Sequence, residues 1–146
     1  MKPWTRILTF ALIAAVPMPA FAESIAAVLY KNPQCSCCEQ YAAYLEQNGF
    51  KVDVQPTNSL DQIASDAGVP PDLEGCHTMM IAGYAFDGLI PVDVVKKVLA
   101  ERPAIAGITL AGMPTGAPGM GGDKTGPFTI YAFTKDGAAP VVYAVE

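Results

Sequence analysis

The chain has 146 residues, of which 51% are hydrophobic, and its nine basic and fourteen acidic side chains give a formal charge of −5 at pH 7. An acidic chain has no electrostatic reason to bind nucleic acid or an anionic membrane surface, so we expect neither as a partner. Three of the four cysteines lie within four residues, whereas structural disulfides of exported proteins usually use cysteines spread along the chain.

The first residues have the pattern of an export signal. Lys2 and Arg6 give a positively charged start, residues 7–16 are apolar, and Ala20-Phe21-Ala22 has the small-x-small pattern of a cleavage site. Ten apolar residues are too few to span a bilayer, which takes about 20. We therefore expect a cleaved signal peptide, with an uncleaved anchor as the alternative.

Cleavage after the signal peptide, residues 1–22, leaves residues 23–146 as the mature protein. These 124 residues are enough for a single domain with a hydrophobic core. Because both basic residues of the signal are removed, seven basic side chains remain against fourteen acidic ones, a formal charge of −7. We expect the mature protein in the periplasm, with no membrane span.

The first half of the mature chain has a strand–helix–strand pattern. The apolar run 25–30 predicts a buried strand, and the i, i+3, i+4, i+7 spacing of apolar residues over 38–45 predicts an amphipathic helix that ends at Asn48-Gly49. Residues 50–55 alternate between apolar and polar, as in a second strand. A crossover helix between two strands indicates that the strands are parallel.

The second half of the mature chain contains shorter elements. In chain order they are a helix over 60–67 capped by Ser59, a third strand over 78–82 that continues through 84–86 around Gly83, a helix over 91–100, and a hairpin of strands 128–134 and 141–145. Residues 107–127 hold seven glycines and three prolines, and they predict a long loop without helix or strand. Such loops are usually functional or disordered.

This order of elements predicts an α/β, thioredoxin-like fold, with a mixed central sheet, flanking helices and a C-terminal β-hairpin. Cys35-Ser36-Cys37-Cys38 contains the C-x-x-C spacing of that fold's redox site. It lies at the start of the first helix, where unpaired N–H groups and the helix dipole favour thiolates. Thioredoxins carry a cis-proline before the third strand; this chain has Gly75-Cys76-His77-Thr78 there. We expect Cys76 and His77 to face the cysteine triplet, defined as Cys35, Cys37 and Cys38.

A cluster of thiolates selects soft or borderline metals, namely Cu(I), Zn(II) or iron–sulfur. The glycine-rich loop adds Met113 and Met120, and a thioether is a good ligand for Cu(I) but a poor one for zinc. We interpret the four cysteines, the two methionines and His77, the only histidine, as candidate metal ligands. The alternatives are gap-filling methionines and a structurally satisfied histidine.

Four other interpretations of the cysteines remain open. A metal-free thiol–disulfide oxidoreductase would use Cys35 and Cys38, although Cys37 inside the pair and the absence of the proline argue against it. A zinc module would leave the methionines without a role, and an iron–sulfur module would be brown as purified. The last is a structural disulfide from Cys76 to Cys35 or Cys37, in a purely structural exported domain.

At the level of motifs, nearly the whole mature chain resembles the CopG-type periplasmic copper proteins, a small thioredoxin-like family. The resemblance rests on residues 30–38 (Tyr-Lys-Asn-Pro-Gln-Cys-Ser-Cys-Cys), 68–71 (Gly-Val-Pro-Pro), 76–78 (Cys-His-Thr), and 112–120 with its two methionines. It implies copper resistance through several Cu(I) ions that share bridging thiolates. It also implies Cys35, Cys37, Cys38 and Cys76 as ligands, with the loop methionines Met113 and Met120 as additional donors.

One position departs from the family pattern. Where relatives usually read Gly-His-Val-Pro, this chain has Gly88-Leu89-Ile90-Pro91, so the resemblance implies fewer copper ions or a more labile cluster. Copper redox cycling and transfer to other periplasmic copper-handling proteins are further expectations for a site of four thiols and two thioethers.

Overall fold

The computed structural model describes residues 23–146, so the predicted signal peptide lies outside the described residues. A seven-stranded sheet is the centre of the fold, with the strand order β2-β1-β3-β4-β5-β6-β7. The strands are β1 (Ile25–Lys31), β2 (Phe50–Pro56), β3 (His77–Ile81), β4 (Tyr84–Asp87), β5 (Gly107–Thr109), β6 (Thr129–Phe133) and β7 (Val141–Val145). The helices are α1 (Ser36–Gln47), α2 (Leu60–Ala67) and α3 (Val92–Glu101), with a 3-10 turn at Pro71–Leu73.

The first four strands confirm the predicted thioredoxin-like fold. β1 pairs with β2 in parallel, as the crossover through α1 requires, and β3 pairs with β1 and β4 antiparallel. In the β1–β3 pair, Lys31 lies opposite His77. The end of β1 and the start of β3 therefore meet at one edge of the sheet.

The predicted continuation of the third strand around Gly83 is wrong. The chain reverses there, and β3 and β4 form a hairpin in which Ile81 pairs with Tyr84. Ala82 and Gly83 have φ of 49° and 89°, the pair of positive values that a tight two-residue hairpin turn requires. Ala-Gly is a weaker hairpin-turn signal than Asn-Gly. Since it lies inside an apolar run, the sequence did not indicate that the chain reverses there.

The predicted loop over 107–127 is wrong at its start, where the short strand β5 (Gly107–Thr109) pairs with β4 in parallel and with β6 antiparallel. Three residues are too few for an alternating pattern to show. The C-terminal hairpin is confirmed, with β6 and β7 antiparallel and a register shift at Ile130/Tyr131.

The helices follow their predictions closely. α1 ends at Gln47, and Gly49 beyond it has φ of 94°, as expected of a glycine after a helix. Ser59 is the first residue flanking α2, but its side chain makes no capping hydrogen bond. Among the described residues, no helix is both long enough and apolar enough to cross a bilayer.

The core lies between the sheet and the helices, and α1 contributes a buried stripe. The stripe consists of the residues whose spacing predicted the helix, namely Cys38, Tyr41, Ala42 and Leu45. Tyr41 is fully buried, and its hydroxyl donates to the carbonyl of Ile90 at 2.8 Å. The start of α1 is thereby fixed to the segment that precedes α3.

The glycine-rich loop packs against the start of α1 at Gly119. This residue has φ of +84°, and a Cβ added to it would lie 2.8 Å from the Cys37 carbonyl oxygen and 2.9 Å from the Tyr41 amide nitrogen. Real Cβ atoms do not approach backbone atoms this closely, so only glycine allows the contact. Gly119 thus sets the distance between the loop and the helix start.

We predict that Gly119→Ala destabilises the protein by about 1–3 kcal/mol, because it combines a strained φ with an overlap against backbone that cannot move aside. Urea denaturation would measure the change. Gly112→Ala, where φ is +72° but no described atom lies within 4 Å of the added Cβ, isolates the strain. Gly121→Ala, with no described atom within 4 Å, controls for the substitution itself. Equal loss in the Gly119 and Gly112 variants would contradict the close packing.

Asp87, at the end of β4, holds the segment that enters β3. Its side chain is 1% exposed and accepts hydrogen bonds from the Gly75 amide and, at 2.7 Å, from the Thr78 hydroxyl. Burial raises the pKa of the Asp87 carboxyl from 3.8 to about 6, and the two hydrogen bonds oppose that rise. The carboxylate therefore positions the residues on both sides of the Cys76-His77 pair.

A carboxyl whose folded-state pKa is raised stabilises the fold fully below the unfolded pKa, and it loses that contribution as pH rises through the folded pKa. With the pKa values of Asp87, the free energy of unfolding of wild type should fall by about 1 kcal/mol between pH 5 and pH 7. Asp87→Asn should not show this fall. Denaturation of both proteins at the two pH values measures this. Asp53→Asn, at an exposed carboxylate, is the control, and parallel pH profiles for wild type and Asp87→Asn would contradict the prediction.

Candidate metal centre

The cysteine triplet lies at the junction between the end of β1 and the start of α1. The turn is closed by the Cys35 amide, which donates to the Asn32 carbonyl at 3.0 Å, and by the Gln34 amide, which donates to the Asn32 side chain at 3.1 Å. Cys35 is the residue flanking the helix, and Cys37 and Cys38 are in its first turn. Cys35 and Cys38 form a disulfide, and Cys37 is a free thiol.

Cys76 folds back onto the triplet, as expected from the sequence. Its Sγ lies 3.7 Å from the Cys37 Sγ and 3.5 Å from the Cys38 Sγ, and the Sγ atoms of Cys37 and Cys35 are 3.2 Å apart. All four sulfurs lie within 4.8 Å of one another. Elements almost forty residues apart in sequence thus build one group of sulfur donors, which we call the sulfur cluster.

The sulfur cluster opens into a cleft of about 470 Å³ on the surface. The cleft is lined by Asn32, Gln34, Cys35, Ser36, Cys37, Leu60, Gly75, Cys76 and Met113. Cys38 is fully buried beneath it, whereas Cys37 and Cys76 are half-buried. An ion or a small thiol can therefore reach the free thiols from solvent.

The two predicted loop methionines differ in position. The Met113 Sδ lies 3.8 Å from the Cys37 Sγ at the mouth of the cleft, and the residue is 53% exposed. Met120 is half-buried and packs against the hydrophobic core. The structure therefore brings the Met113 thioether to the sulfur cluster, and a ligand role for Met120 stays a prediction.

His77 is fully buried beside the sulfur cluster. Its Nδ1 lies 3.5 Å from the Cys76 Sγ, its ring packs on Tyr41 with centroids 4.8 Å apart, and its Nε2 has no hydrogen-bond partner among the described residues. Burial lowers the pKa of the His77 imidazole to about 3. The ring is therefore neutral at pH 7, which is the form that binds metals. Its role as a ligand stays a prediction.

The environment of Cys76 opposes a free thiolate. Burial, and next the neighbouring Cys37, raise the pKa of the Cys76 thiol to about 12. Without a cation the thiol therefore keeps its proton at pH 7. A metal that binds here has to displace this proton, so binding is coupled to proton release.

Lys31, the last residue of β1, is a buried cation under the turn that carries the triplet. It is 2% exposed, and its ammonium donates to the carbonyls of Asn32, Pro33 and Cys35 at 3.1–3.3 Å. It also pairs with the exposed Glu39 carboxylate at 3.1 Å. Three hydrogen bonds from one charged group fix the shape of this turn and place a positive charge beside the cysteines.

Sequence reasoning missed Lys31 and Asp87 as residues that build the site. A signal for Lys31 exists, because it ends an otherwise apolar strand immediately before the cysteine turn. In the sequence, Asp87-Gly88 indicates only a turn. The hydrogen bonds of Asp87 to Gly75 and Thr78 depend on the β3–β4 pairing, which the sequence did not reveal.

Leu89 occupies the position where the resemblance implied a histidine in relatives. It is fully buried in the hydrophobic core, together with Cys38 and Tyr41. An aliphatic side chain offers no metal ligand. Leu89 therefore contributes packing to the core and no donor atom.

Comparison with known proteins places this geometry in a family. Residues 73–120 match the model of a family described as "Protein of unknown function, DUF411". No curated protein sequence matches the chain. Two solved structures match it, both of "Copper resistance protein copG", in form 2 with a TM-score of 0.78 and in form 1 with a TM-score of 0.77.

Both solved structures are 33% identical to the chain, and each alignment covers 85% of it. The alignments cover 99% of the form 2 chain and 98% of the form 1 chain. With this identity over almost the whole length of those proteins, the chain belongs to the family of the copper resistance protein CopG.

Proposed function

We propose that this protein binds Cu(I) and serves copper resistance and homeostasis in the periplasm. The observation that carries the proposal is the convergence of four cysteine sulfurs within 4.8 Å, with a thioether 3.8 Å from one of them. The copper-resistance name of the two related structures supports the choice of metal. Delivery to the periplasm follows from the predicted signal peptide.

The chemistry of the donors favours Cu(I) over other metals. Thiolates bind Cu(I), Zn(II) and iron–sulfur clusters, whereas a thioether adds selectivity for Cu(I). Met113 supplies that thioether at the mouth of the cleft. The neutral imidazole of His77, 3.5 Å from the Cys76 Sγ, is a further candidate ligand.

The spacing of the sulfurs favours several ions that share bridging thiolates. After reduction of the Cys35–Cys38 disulfide, four thiolates within 4.8 Å would repel one another strongly. A single Cu(I) would leave three negative charges uncompensated in a half-buried site, and each further Cu(I) removes one. Because Leu89 provides no donor, we expect the cluster to hold fewer ions, or to hold them less tightly, than relatives with a histidine there.

We predict that the reduced protein retains several equivalents of Cu(I) against a Cu(I)-specific chelator and that Cys76→Ser loses most of them. A bridging sulfur serves two ions, so its loss removes more than one binding position, and a hydroxyl is too hard a donor to replace it. Elemental analysis of anaerobically prepared protein, together with a free-thiol count, measures both quantities.

The matched control is Ser36→Ala, which changes the lining of the same cleft without removing a sulfur. It should bind as much copper as wild type. If Cys76→Ser bound as much Cu(I) as wild type, the proposal of a shared sulfur cluster would be wrong. Circular dichroism of each variant verifies that it is folded.

Thiol–disulfide exchange is a second candidate function, favoured by the Cys35–Cys38 disulfide at the start of α1 in a thioredoxin-like fold. It predicts that the copper-free protein accelerates the reduction of insulin disulfides by dithiothreitol. Cys35→Ser should abolish the acceleration because it removes one half of the redox pair, whereas Cys37→Ser should retain it. A rate no greater than that of dithiothreitol alone would exclude this function.

A further inference from the structure

The disulfide leaves two sulfurs of the sulfur cluster with full donor capacity, and the Met113 thioether is a third donor beside them. Cys35 and Cys38 are joined, and a disulfide sulfur carries no thiolate charge and is a poor ligand. Cys37 and Cys76 remain free thiols, 3.7 Å apart, and the Met113 Sδ lies 3.8 Å from the Cys37 Sγ. These three residues also line the same cleft, so solvent reaches all of them.

The spacing of these sulfurs fits a single ion. Metal–sulfur bonds of ~2.3 Å put the sulfurs of a trigonal or tetrahedral site about 3.8–4.0 Å apart. The observed separations of 3.7 Å and 3.8 Å are close to these values. Two of the three pairwise separations therefore already suit three donors around one Cu(I).

The number of donors also fits a single ion. Cys37 and Cys76 are the two free thiols, and Met113 supplies one thioether beside them. A three-coordinate Cu(I) uses all three donors, so a second Cu(I) would have no donor of its own.

We infer that the protein carries a distinct single-ion Cu(I) site, formed by Cys37, Cys76 and Met113, while the Cys35–Cys38 disulfide is intact. The redox state of that pair then sets the copper capacity, with several ions in the dithiol form and one in the disulfide form. The inference extends the proposed function, on which it rests for the choice of metal.

The test compares two preparations of the full mature chain. The disulfide form is purified without reductant, and mass spectrometry after alkylation verifies one disulfide and two free thiols; the dithiol form is made with dithiothreitol, which is then removed anaerobically. Each form is titrated with Cu(I)–acetonitrile complex against a Cu(I)-specific chelator. We expect one equivalent in the disulfide form, and X-ray absorption should show three sulfur ligands and no copper–copper scattering.

Three variants test the assignment of the ligands. In the disulfide form, Cys37→Ser and Cys76→Ser should each abolish binding, and Met113→Leu, which keeps the apolar shape, should weaken it about tenfold. The double variant Cys35→Ser/Cys38→Ser keeps the three proposed ligands and should bind one ion with or without dithiothreitol. If Cys38→Ser impairs folding because it buries a hydroxyl, Cys35→Ser/Cys38→Ala replaces the double variant.

The outcomes separate this inference from the proposed function. If the dithiol form binds several ions and the disulfide form binds none, or binds several, the single-ion site is wrong and the proposed function stands. If the disulfide form binds one ion and the dithiol form also binds one, the single-ion site stands and the shared cluster is wrong. If neither form binds Cu(I), both are wrong.

Discussion

The antiparallel pairing of β1 with β3 is the constraint on which the site depends. It places Lys31 opposite His77, so the turn that follows β1 and the segment that precedes β3 meet at one edge of the sheet. The triplet lies on the first of these and Cys76 on the second. Backbone hydrogen bonds of the sheet therefore fix the separation of the sulfurs, and side-chain contacts need only refine it.

Two buried charged side chains, Lys31 and Asp87, fix the two backbone segments that carry the cysteines. The Lys31 ammonium gathers three carbonyls of the cysteine turn, and the Asp87 carboxylate binds the Gly75 amide and the Thr78 hydroxyl around Cys76. Gly119 brings the methionine-bearing loop against the same helix start. None of these groups offers a soft ligand, so substitutions in them change the geometry of the sulfur cluster without changing its donor atoms.

The sequence predicted what depends on local pattern and missed what depends on pairing. α1 could be predicted because Cys38, Tyr41 and Leu45 repeat at helical spacing, and the approach of Cys76 could be predicted because the strand–helix–strand order restricts the topology. The reversal at Ala82-Gly83 and the three-residue strand β5 carry too short a pattern. The disulfide could not be assigned either, because four clustered cysteines allow more than one pairing.

The sulfur donors lie at graded depths, and under the proposed function this gradient orders the path of an arriving Cu(I). Met113 at the mouth is 53% exposed, Cys37 and Cys76 are half-buried, and Cys38 is fully buried. An arriving ion meets the neutral thioether first, which binds without losing a proton, whereas the Cys76 thiol must release one because burial raises its pKa to about 12. Entry is therefore favoured at the exposed end, and the buried thiolates, once deprotonated, hold the ion more strongly than a thioether can.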